Sequence, residues 1–445
     1  MQRQVPSFKK STLFSSLFRR ARFALQLAVC LSLLLATSAA AGTAYISRKI
    51  SGSSPDFMDI SYFQFEFSPD GDYVVFITDR GTDEKYELYS VRVTGSTPTR
   101  ISGPISLAGG DVKDFVITPD SHYVIYTANP VTATQTNLYC VPITGGEAKP
   151  EQLNQPAHAN AGIGQNLVKI SPDGHYVVYQ GDQETDGESE LFSVPIDASC
   201  QAVKAPAKLN DPILPELGNI DIWDISPNSQ RVVYRADAKV YFRKELYSVP
   251  INRGVSDPVA RLNDILVTGG YVSEFSIASN SQKVVYSAVQ ETAGVAELYA
   301  VPIAGGGFTK LNPDILAGHR GIYNFAITPN SAGVVYIADQ VTPYVDELYS
   351  VAITGGTIKK LNSPISNADG NVVDFHITLN SQGVVYKVDQ NFDEYFELYS
   401  NWFTGGTPYR LDSSLPALGD VYQFEITPNS LGVVFFVAGA GKWHL

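Results

Sequence analysis

The chain has 445 residues, of which 44% are hydrophobic and 17% charged, and its formal net charge is −13. This apolar fraction excludes a wholly disordered chain, and the length is sufficient to bury a large core. The first 41 residues hold six basic and no acidic side chains, so the net charge of the remainder is −19. Such an acidic chain repels nucleic acid and anionic lipid, which excludes both as favourable partners.

The N-terminal segment has the three parts of a secretory signal peptide. Basic residues are found in 1–22, residues 23–41 carry no charge, and small side chains end the segment. This pattern predicts export to the periplasm or the extracellular space, with cleavage near Ala40 or Ala41 and no membrane insertion afterwards. An uncleaved membrane anchor is the alternative, because about 20 apolar residues can span a bilayer.

A four-residue phrase recurs along the rest of the chain. It is typified by Ser68-Pro-Asp-Gly71 and Thr328-Pro-Asn-Ser331, and it returns at intervals of 49 to 55 residues. Its third residue stands at positions 70, 120, 173, 228, 280, 330, 380 and 429. A regular period near 50 over the whole chain indicates a repeat array or a propeller.

Each repeat predicts four strands. Alternating residues such as 63–67 predict strand a, and the phrase itself has the chemistry of a tight turn. A short apolar run such as 74–76 predicts strand b, a phrase such as 87–90 (Glu-Leu-Tyr-Ser) predicts strand c, and a short strand d ends near 100–102. No segment after residue 42 shows a sustained helical period.

Four-stranded units repeated radially form a β-propeller. The sequence therefore predicts an all-β fold with a single propeller domain over 42–445, preceded by a signal peptide over 1–41. A lone strand d at 49–51 and an incomplete last unit at 421–445 together predict an eighth blade closed by the N-terminal strand. Seven blades, a truncated longer chain, and an open stack of sheets with exposed edges are the alternatives.

Two cysteines remain after signal cleavage, Cys140 and Cys200. Cys140 lies three residues past the start of its strand c, and Cys200 lies ten residues past the start of the next strand c. Seven residues of strand at about 3.3 Å each separate them by roughly 20 Å. Because a disulfide needs Cα atoms within about 7 Å, we expect the two cysteines to stay unpaired.

The Ser-Pro-Asp-Gly turn, the apolar run and Glu-Leu-Tyr-Ser together resemble the propeller repeats of TolB. Similar repeats occur in the propeller domains of the dipeptidyl peptidase IV and prolyl oligopeptidase group. The resemblance covers 46–445 and implies the propeller fold, whereas a fold alone does not imply a function. The peptidases add a hydrolase domain with a Gly-x-Ser-x-Gly elbow, which this sequence lacks, so no catalytic residue is carried over.

Metal, nucleotide and catalytic motifs are absent from the sequence. It has no His-x-x-x-His pair, no Cys-x-x-Cys and no phosphate-binding glycine loop, so we expect no metal site and no cofactor. The Asp that ends most strands b and the Glu that opens most strands c recur in nearly every unit. A catalytic pair is needed once, so these acids are expected to satisfy backbone donors at the hairpins.

Polar residues near the start of strand a are predicted to line a central channel. The channel candidates are Asp114, Glu274, Asp374 and His376. Oxygen ligands from several blades could hold a cation or a polar ligand there, and a solvated channel wall is the alternative.

The loops between strands b and c have a constant length of seven residues and a variable content. Loop 183–189 is acidic and loop 238–244 is basic. Variable loops on a uniform scaffold are typical of a binding face, although the rings could instead lie on their own hairpins. The ligand-face candidates are Tyr241, Phe242, Arg243, Tyr344, Phe392 and Tyr395.

These loops favour a non-enzymatic, exported and monomeric binding or scaffold protein, whose partner is a protein, a peptide or a glycan. The alternatives are a propeller enzyme, such as a lyase or hydrolase with its site at the channel mouth, and a propeller whose partner domain lies on another chain. Replacing Tyr241, Phe242 and Arg243 with Ala is expected to reduce partner capture at least about tenfold.

Overall fold

The computed structural model describes a large part of the chain, in segments. The predicted signal peptide and the predicted closing strand near 46–51 lie outside them. Every regular element within the described segments is a β-strand. These segments contain no helix that is long and apolar enough to cross a membrane. The described segments all belong to the second of two units, Ser51–Leu445. They comprise residues 64–79, 85–103, 105, 110–129, 135–146, 150–156, 158–211, 219–237, 243–254, 256–365, 370–391, 395–412, 420–439 and 442–444.

The strands form eight successive sheets, which we number as blades 1 to 8. Blades 1 to 4 consist of Phe65–Phe67 (β1), Tyr73–Thr78 (β2), Glu87–Arg92 (β3) and Thr99–Arg100 (β4); Val112–Ile117 (β5), Tyr123–Ala128 (β6), Asn137–Pro142 (β7) and Glu151–Gln152 (β8); Ile163–Ile170 (β9), Tyr176–Gly181 (β10), Glu190–Pro195 (β11) and Ala207–Lys208 (β12); Ile220–Ile225 (β13), Arg231–Ala236 (β14), Glu245–Pro250 (β15) and Ala260–Arg261 (β16). Blades 5 to 8 consist of Val272–Ile277 (β17), Lys283–Ala288 (β18), Glu297–Pro302 (β19) and Thr309–Lys310 (β20); Ile322–Ile327 (β21), Gly333–Ala338 (β22), Glu347–Ala352 (β23) and Lys359–Lys360 (β24); Val372–Ile377 (β25), Gly383–Val388 (β26), Glu397–Trp402 (β27) and Tyr409–Arg410 (β28); Asp420–Ile426 (β29), Val433–Gly439 (β30) and Lys442–His444 (β31).

The strands of each blade are hydrogen-bonded in chain order and antiparallel. In the described part of the chain, blades 1 to 7 have four strands, here named a to d, and blade 8 has three. The predicted all-β propeller of four-stranded blades is therefore confirmed. Up-and-down strands place the b–c and d–a loops at one end of every blade, here called the loop face, and the a–b and c–d turns at the opposite end.

The second to fourth residues of strand b are apolar and buried in blades 2 to 7, because each of these strands is covered on all sides. Strands a and c flank each strand b, and the adjacent blades cover its two faces. Between blades 1 and 2, for example, Val75 and Leu88 pack with Phe115 and Val124. Corresponding clusters join each following pair of blades up to blades 7 and 8, so the core is a series of layers between sheets.

The a–b turns link neighbouring blades by hydrogen bonds. In blades 2 and 4 to 8 the fourth turn residue is a serine with φ between 58° and 64°, a backbone region that side chains disfavour. In five of these turns the serine hydroxyl accepts the backbone N–H of the preceding blade's turn at 3.0 Å, the pairs being Asp70 with Ser121, Asp173 with Ser229, Asn228 with Ser281, Asn280 with Ser331 and Asn330 with Ser381.

Cys140 and Cys200 form a disulfide, so the prediction that they stay unpaired is wrong. Their Cα atoms lie 6.2 Å apart. The predicted separation assumed that Cys200 continued strand c of blade 3, but that strand ends at Pro195. The chain then reverses in a turn, in which the N–H of Cys200 donates to the carbonyl of Asp197 and the N–H of Asp197 to that of Gln201. This reversal brings Cys200 against strand c of blade 2.

Candidate ligand-binding face

Three b–c loops are described completely, and they share one backbone conformation. In loops 183–189, 290–296 and 340–346 the sixth residue donates its N–H to the carbonyl of the third at 3.1 Å. The first residue of each is a glutamine whose side-chain oxygen accepts the hydroxyl of a buried strand b tyrosine, the pairs being Tyr179 with Gln183, Tyr286 with Gln290 and Tyr336 with Gln340. In these loops a constant scaffold presents different side chains, as the sequence predicts.

The repeated acids beside these loops have structural roles. The carboxylate of Asp237 accepts the backbone N–H of Asn219 at 2.6 Å, and that of Asp339 accepts the N–H of Gly321 at 2.7 Å. The Asp after strand b therefore satisfies backbone donors as predicted, but these two donors lie in d–a loops and not in the hairpins where they were expected.

The Glu that opens strand c has a partner that the sequence did not predict. In six blades it forms an ion pair with the Lys or Arg that ends strand d, the pairs being Glu87 with Arg100, Glu190 with Lys208, Glu245 with Arg261, Glu297 with Lys310, Glu347 with Lys360 and Glu397 with Arg410. These carboxylates hold strand d onto strand c.

Tyr344 departs from the common loop pattern. The fifth residue of the other two loops is Gly187 or Gly294, each with φ 78°, whereas Tyr344 adopts φ 64° with a full side chain. A non-glycine residue in this left-handed region costs about 1–2 kcal/mol. The ring is 63% exposed, so burial does not offset that cost. Strain of this kind is often retained at functional sites.

Arg320, in the d–a loop before blade 6, supports Tyr344. Its guanidinium lies 5.5 Å from the centre of the Tyr344 ring and donates to Asp346 at 2.8 Å. An arginine stacked on an aromatic ring is a favourable cation–π arrangement. The sequence analysis missed Arg320 because it lies 24 residues before Tyr344, in a different loop.

The carboxylates around this pair differ in their electrostatics. Burial opposes the charge of Asp339, but hydrogen bonds from the backbone N–H groups of Arg320, Tyr344 and Gly321 outweigh it and hold the pKa of Asp339 below its usual value. Burial raises the pKa of Asp346, and the charge of Arg320 only partly offsets this. Arg320 therefore donates to the buried carboxylate of Asp346, and its positive charge partly compensates the negative charge of that carboxylate.

The remaining ligand-face candidates fall into two groups. Tyr241, Phe242 and Phe392 lie outside the described residues. Arg243 is half-buried and donates to the backbone carbonyl of Leu266, and Tyr395 is 41% exposed. Arg243 therefore contributes to holding a d–a loop in place, a role that the sequence analysis did not predict.

The two loops of the loop face that flank blade 6 also carry exposed apolar side chains. Leu316 in a d–a loop is 73% exposed and Val341 in the same b–c loop as Tyr344 is 68% exposed. Val341 also borders an open groove of about 580 Å³, which is lined further by Pro313, Gln340, Thr342, Glu347, Tyr349, Ile358, Lys360, Pro364 and Ile365. Apolar walls with a few polar groups are typical of ligand-binding surfaces.

A β-bulge lies near the start of strand a, at its loop-face end, in most blades. In six blades one residue of strand a has no partner in strand b, and the skipped residues are Lys113, Asp221, Ser273, Tyr323, Val373 and Tyr422. In blade 3 the irregularity is longer and spans residues between Ile163 and Val168. Bulges re-aim side chains and are frequent near functional sites, but alternation alone did not reveal them.

The predicted channel residues contact their own or adjacent blades. Asp114 is buried and accepts the side-chain amide of Gln64 and the backbone N–H of Asn166. The ring of His376 lies against Phe424, with centroids 4.7 Å apart, and its Nδ1 is 3.5 Å from a carboxylate oxygen of Glu425.

Asp374 and Glu274 complete the predicted set. Asp374 accepts the backbone N–H of Phe375 at 2.9 Å, and Glu274 is exposed. The four candidates lie in blades 2, 5 and 7, so the described contacts do not bring them together into one constellation.

Glu66, also in strand a, was not among the predicted residues. Glu66 is exposed at the surface, but nearby protein atoms displace part of the water around its carboxyl group. This partial desolvation, together with the negative charge of Asp114, raises the pKa of Glu66 to about 7. A carboxyl group with such a pKa exchanges protons near neutral pH.

One cluster of carboxylates resembles a metal site but is filled by a lysine. Glu291, Glu297 and Asp314 bring their oxygens within 4.8 Å of one another. The ammonium group of Lys310 lies 2.9, 2.6 and 2.8 Å from them, respectively. Burial opposes the charge of Lys310, but these carboxylates outweigh it and raise its pKa, so the lysine already compensates the acids.

Comparisons with known proteins identify the fold. No protein-family model and no curated protein matches the sequence. The structure is similar to dipeptidyl peptidase 4 from Porphyromonas gingivalis, with a TM-score of 0.50 and 9% sequence identity over 85% of this chain and 56% of the peptidase. Prolyl oligopeptidase B from Galerina marginata aligns with a TM-score of 0.40 and 11% identity over 80% of this chain and 50% of that one.

A putative TolB from Agrobacterium tumefaciens aligns with a TM-score of 0.30 and 17% identity, over 55% of this chain and 78% of that one. The chain thus spans about half the length of the two peptidases. At these identities the similarity concerns the fold alone. The match to dipeptidyl peptidase 4 confirms the predicted resemblance to the peptidase propellers at the level of the fold.

Proposed function

We propose that this protein is a non-enzymatic, exported propeller that binds a protein, peptide or glycan partner through its loop face. The observation that carries the proposal is Tyr344. Its ring is exposed, its backbone is held in a left-handed conformation, and Arg320 is stacked on it. Aromatic residues and arginine are enriched at binding hot spots, and folding stability alone favours glycine at this backbone position.

Two observations support export. The first is the signal peptide predicted over 1–41. The second is the disulfide between Cys140 and Cys200, because disulfides persist mainly in oxidising compartments such as the periplasm and the extracellular space.

The proposal is tested by replacing Tyr344 with glycine. Tyr344→Gly removes the ring while the backbone keeps an allowed conformation, so the fold should be retained and its stability should not fall. Loss of a hot-spot ring typically costs about 2 kcal/mol or more, so partner capture from the native envelope or extracellular fraction should fall at least about tenfold. Arg320→Ala should reduce capture in the same direction.

Trp402→Ala is the matched control. Trp402 is 62% exposed and ends strand c of blade 7, so it lies at the turn end, opposite the loop face. Capture should be unaffected in this variant. If Trp402→Ala abolishes capture while Tyr344→Gly does not, the binding site lies on the turn end. Undiminished capture by a folded Tyr344→Gly variant would refute the role of the loop face.

A propeller enzyme with its site at the channel mouth is the second candidate function. It is favoured by Glu66, whose pKa of about 7 suits a general acid or base and which lies beside the charged Asp114. A hydrolase or lyase of this kind would lose its activity in Glu66→Gln and keep it in Tyr344→Gly.

A further inference from the structure

Three side chains that can ligate a metal meet in the loops of blade 3. His158 lies in the d–a loop before the blade, Asp182 follows strand b, and Asp186 lies in the b–c loop. One imidazole nitrogen and one oxygen from each carboxylate lie within 4.8 Å of one another. The sequence search missed this set because it looked for ligands at close spacing, and these come from two different loops.

The orientation of the His158 ring leaves one nitrogen available. Its Nε2 lies 2.6 Å from the backbone carbonyl of Asp182, and a nitrogen that bonds a carbonyl must carry the hydrogen. In the neutral ring, Nδ1 is then the acceptor. That Nδ1 is buried without a hydrogen-bond partner and lies 3.9 Å from Oδ1 of Asp186. A lone pair facing a carboxylate is unfavourable unless a positive charge lies between them.

Outer hydrogen bonds orient the two carboxylates. The backbone N–H groups of Gly162 and Gly187 donate to Oδ1 and Oδ2 of Asp182, at 2.5 and 3.3 Å. The side-chain amide of Asn160 donates to Oδ2 of Asp186 at 3.2 Å and leaves Oδ1 directed towards the imidazole. Metal ligands in proteins are usually held by an outer set of hydrogen bonds of this kind.

We propose that His158, Asp182 and Asp186 bind one divalent transition-metal ion, with zinc as the best-suited cation. An imidazole with two carboxylates fits zinc, whereas calcium and magnesium prefer oxygen ligands alone. Ligands at about 2.0–2.2 Å around a tetrahedral ion lie roughly 3.4 Å apart, and the 3.9 Å between Nδ1 of His158 and Oδ1 of Asp186 is close to that spacing. Three protein ligands leave the fourth position for water or for a group of a bound partner.

Blade 6 contains a comparable histidine whose ring is turned the other way, and it lacks the third ligand. His319 bonds the backbone carbonyl of Asp339 through Nδ1, whereas His158 bonds that of Asp182 through Nε2. Pro343 stands where blade 3 has Asp186 in the shared loop conformation. The contrast between blades 3 and 6 provides an internal control for the metal site. The metal-site proposal does not depend on the proposed function.

The test measures zinc binding by the full chain. After treatment with a chelator, the protein is dialysed to equilibrium against zinc chloride, and bound zinc is determined by mass spectrometry. The wild type should bind one zinc ion at this site. His158→Gln and Asp186→Asn should each weaken its binding at least tenfold, and Asn160→Ala should weaken it by about tenfold through the loss of an outer hydrogen bond.

The controls are His319→Gln in blade 6 and His175→Gln in the a–b turn of blade 3. His175 also lies near a carboxylate, with Nδ1 3.5 Å from Asp173, but without a third ligand, so both control variants should bind zinc as the wild type does. Absence of zinc binding by the folded wild type, or equal affinity in Asp186→Asn and the wild type, overturns the proposal. Asp186 is exposed, so its replacement should leave the fold intact.

Discussion

Tyr344 and Glu66 both occupy positions that are unfavourable for the stability of the folded chain. Tyr344 has a backbone conformation that glycine adopts more easily. Glu66 keeps a carboxyl group beside Asp114 in partly dehydrated surroundings. The local sequence does not explain why Tyr344 and Glu66 occupy these positions. Each residue is explained only by its surroundings in the fold or by what it binds.

The pKa of Glu66 predicts how the stability depends on pH. Its pKa is about 7 in the folded chain, above the ordinary value of 4.5, so the folded state holds this proton more tightly than the unfolded state. The resulting stabilisation is complete below about pH 4.5 and is lost as the pH rises through 7. Glu66→Gln, which cannot ionise, should match the wild type in melting temperature at about pH 4 and exceed it at about pH 8. Parallel pH profiles of the two proteins would contradict the assignment.

Most a–b turns of this propeller have serine as their fourth residue, where glycine would relieve backbone strain. The serine hydroxyl accepts a backbone N–H from the turn of the preceding blade, as in the pair of Asn280 with Ser331. In blade 3 the turn has Gly174 at this position, which has no side chain to accept such a bond. The choice between Ser and Gly therefore reflects a contact between blades as well as the turn geometry.

Two variants of Ser331 separate these contributions. Ser331→Ala keeps the left-handed strain and removes the hydrogen bond, which should cost about 0.5–1.5 kcal/mol in the free energy of unfolding. Ser331→Gly removes the same bond but relieves about 1 kcal/mol of strain, so it should be the more stable of the two. Urea denaturation of both variants measures the difference. If alanine is tolerated better than glycine, the backbone strain does not determine the stability of this turn.

At the scale of the whole molecule, neighbouring blades are joined by apolar layers and, between blades 2 and 3, by a covalent bond. The disulfide closes a segment of 60 residues and lies within the apolar cluster between these two blades. It restricts the unfolded chain, so it adds stability that the layers alone do not provide.

Removing the disulfide should therefore destabilise the protein. Loss of a native bridge typically costs about 2–5 kcal/mol, so the double variant Cys140→Ala with Cys200→Ala should unfold at a lower urea concentration than the wild type. Reductant should lower the midpoint of the wild type and leave that of the variant unchanged. Equal midpoints, or free thiols at both cysteines in the wild type purified under non-reducing conditions, would contradict this expectation.

The sequence by itself determined the repeated elements. Strands a to d, the tight a–b turns and the constant length of the b–c loops are encoded locally and repeated in the first seven units, so a period near 50 residues was sufficient to predict the propeller. The same local patterns predicted that the Asp after strand b is structural, because Asp recurs where a backbone donor recurs.

Only the tertiary structure decided which side chains from different units meet. The pairing of Cys140 with Cys200 depends on a chain reversal after Pro195 that a count along the strand cannot reveal. The support of Tyr344 by Arg320, and the convergence of His158 with Asp182 and Asp186, join d–a loops to b–c loops. Strand periodicity encodes which face of a sheet a residue occupies, but it carries no information on the path of the loops that bring such residues together.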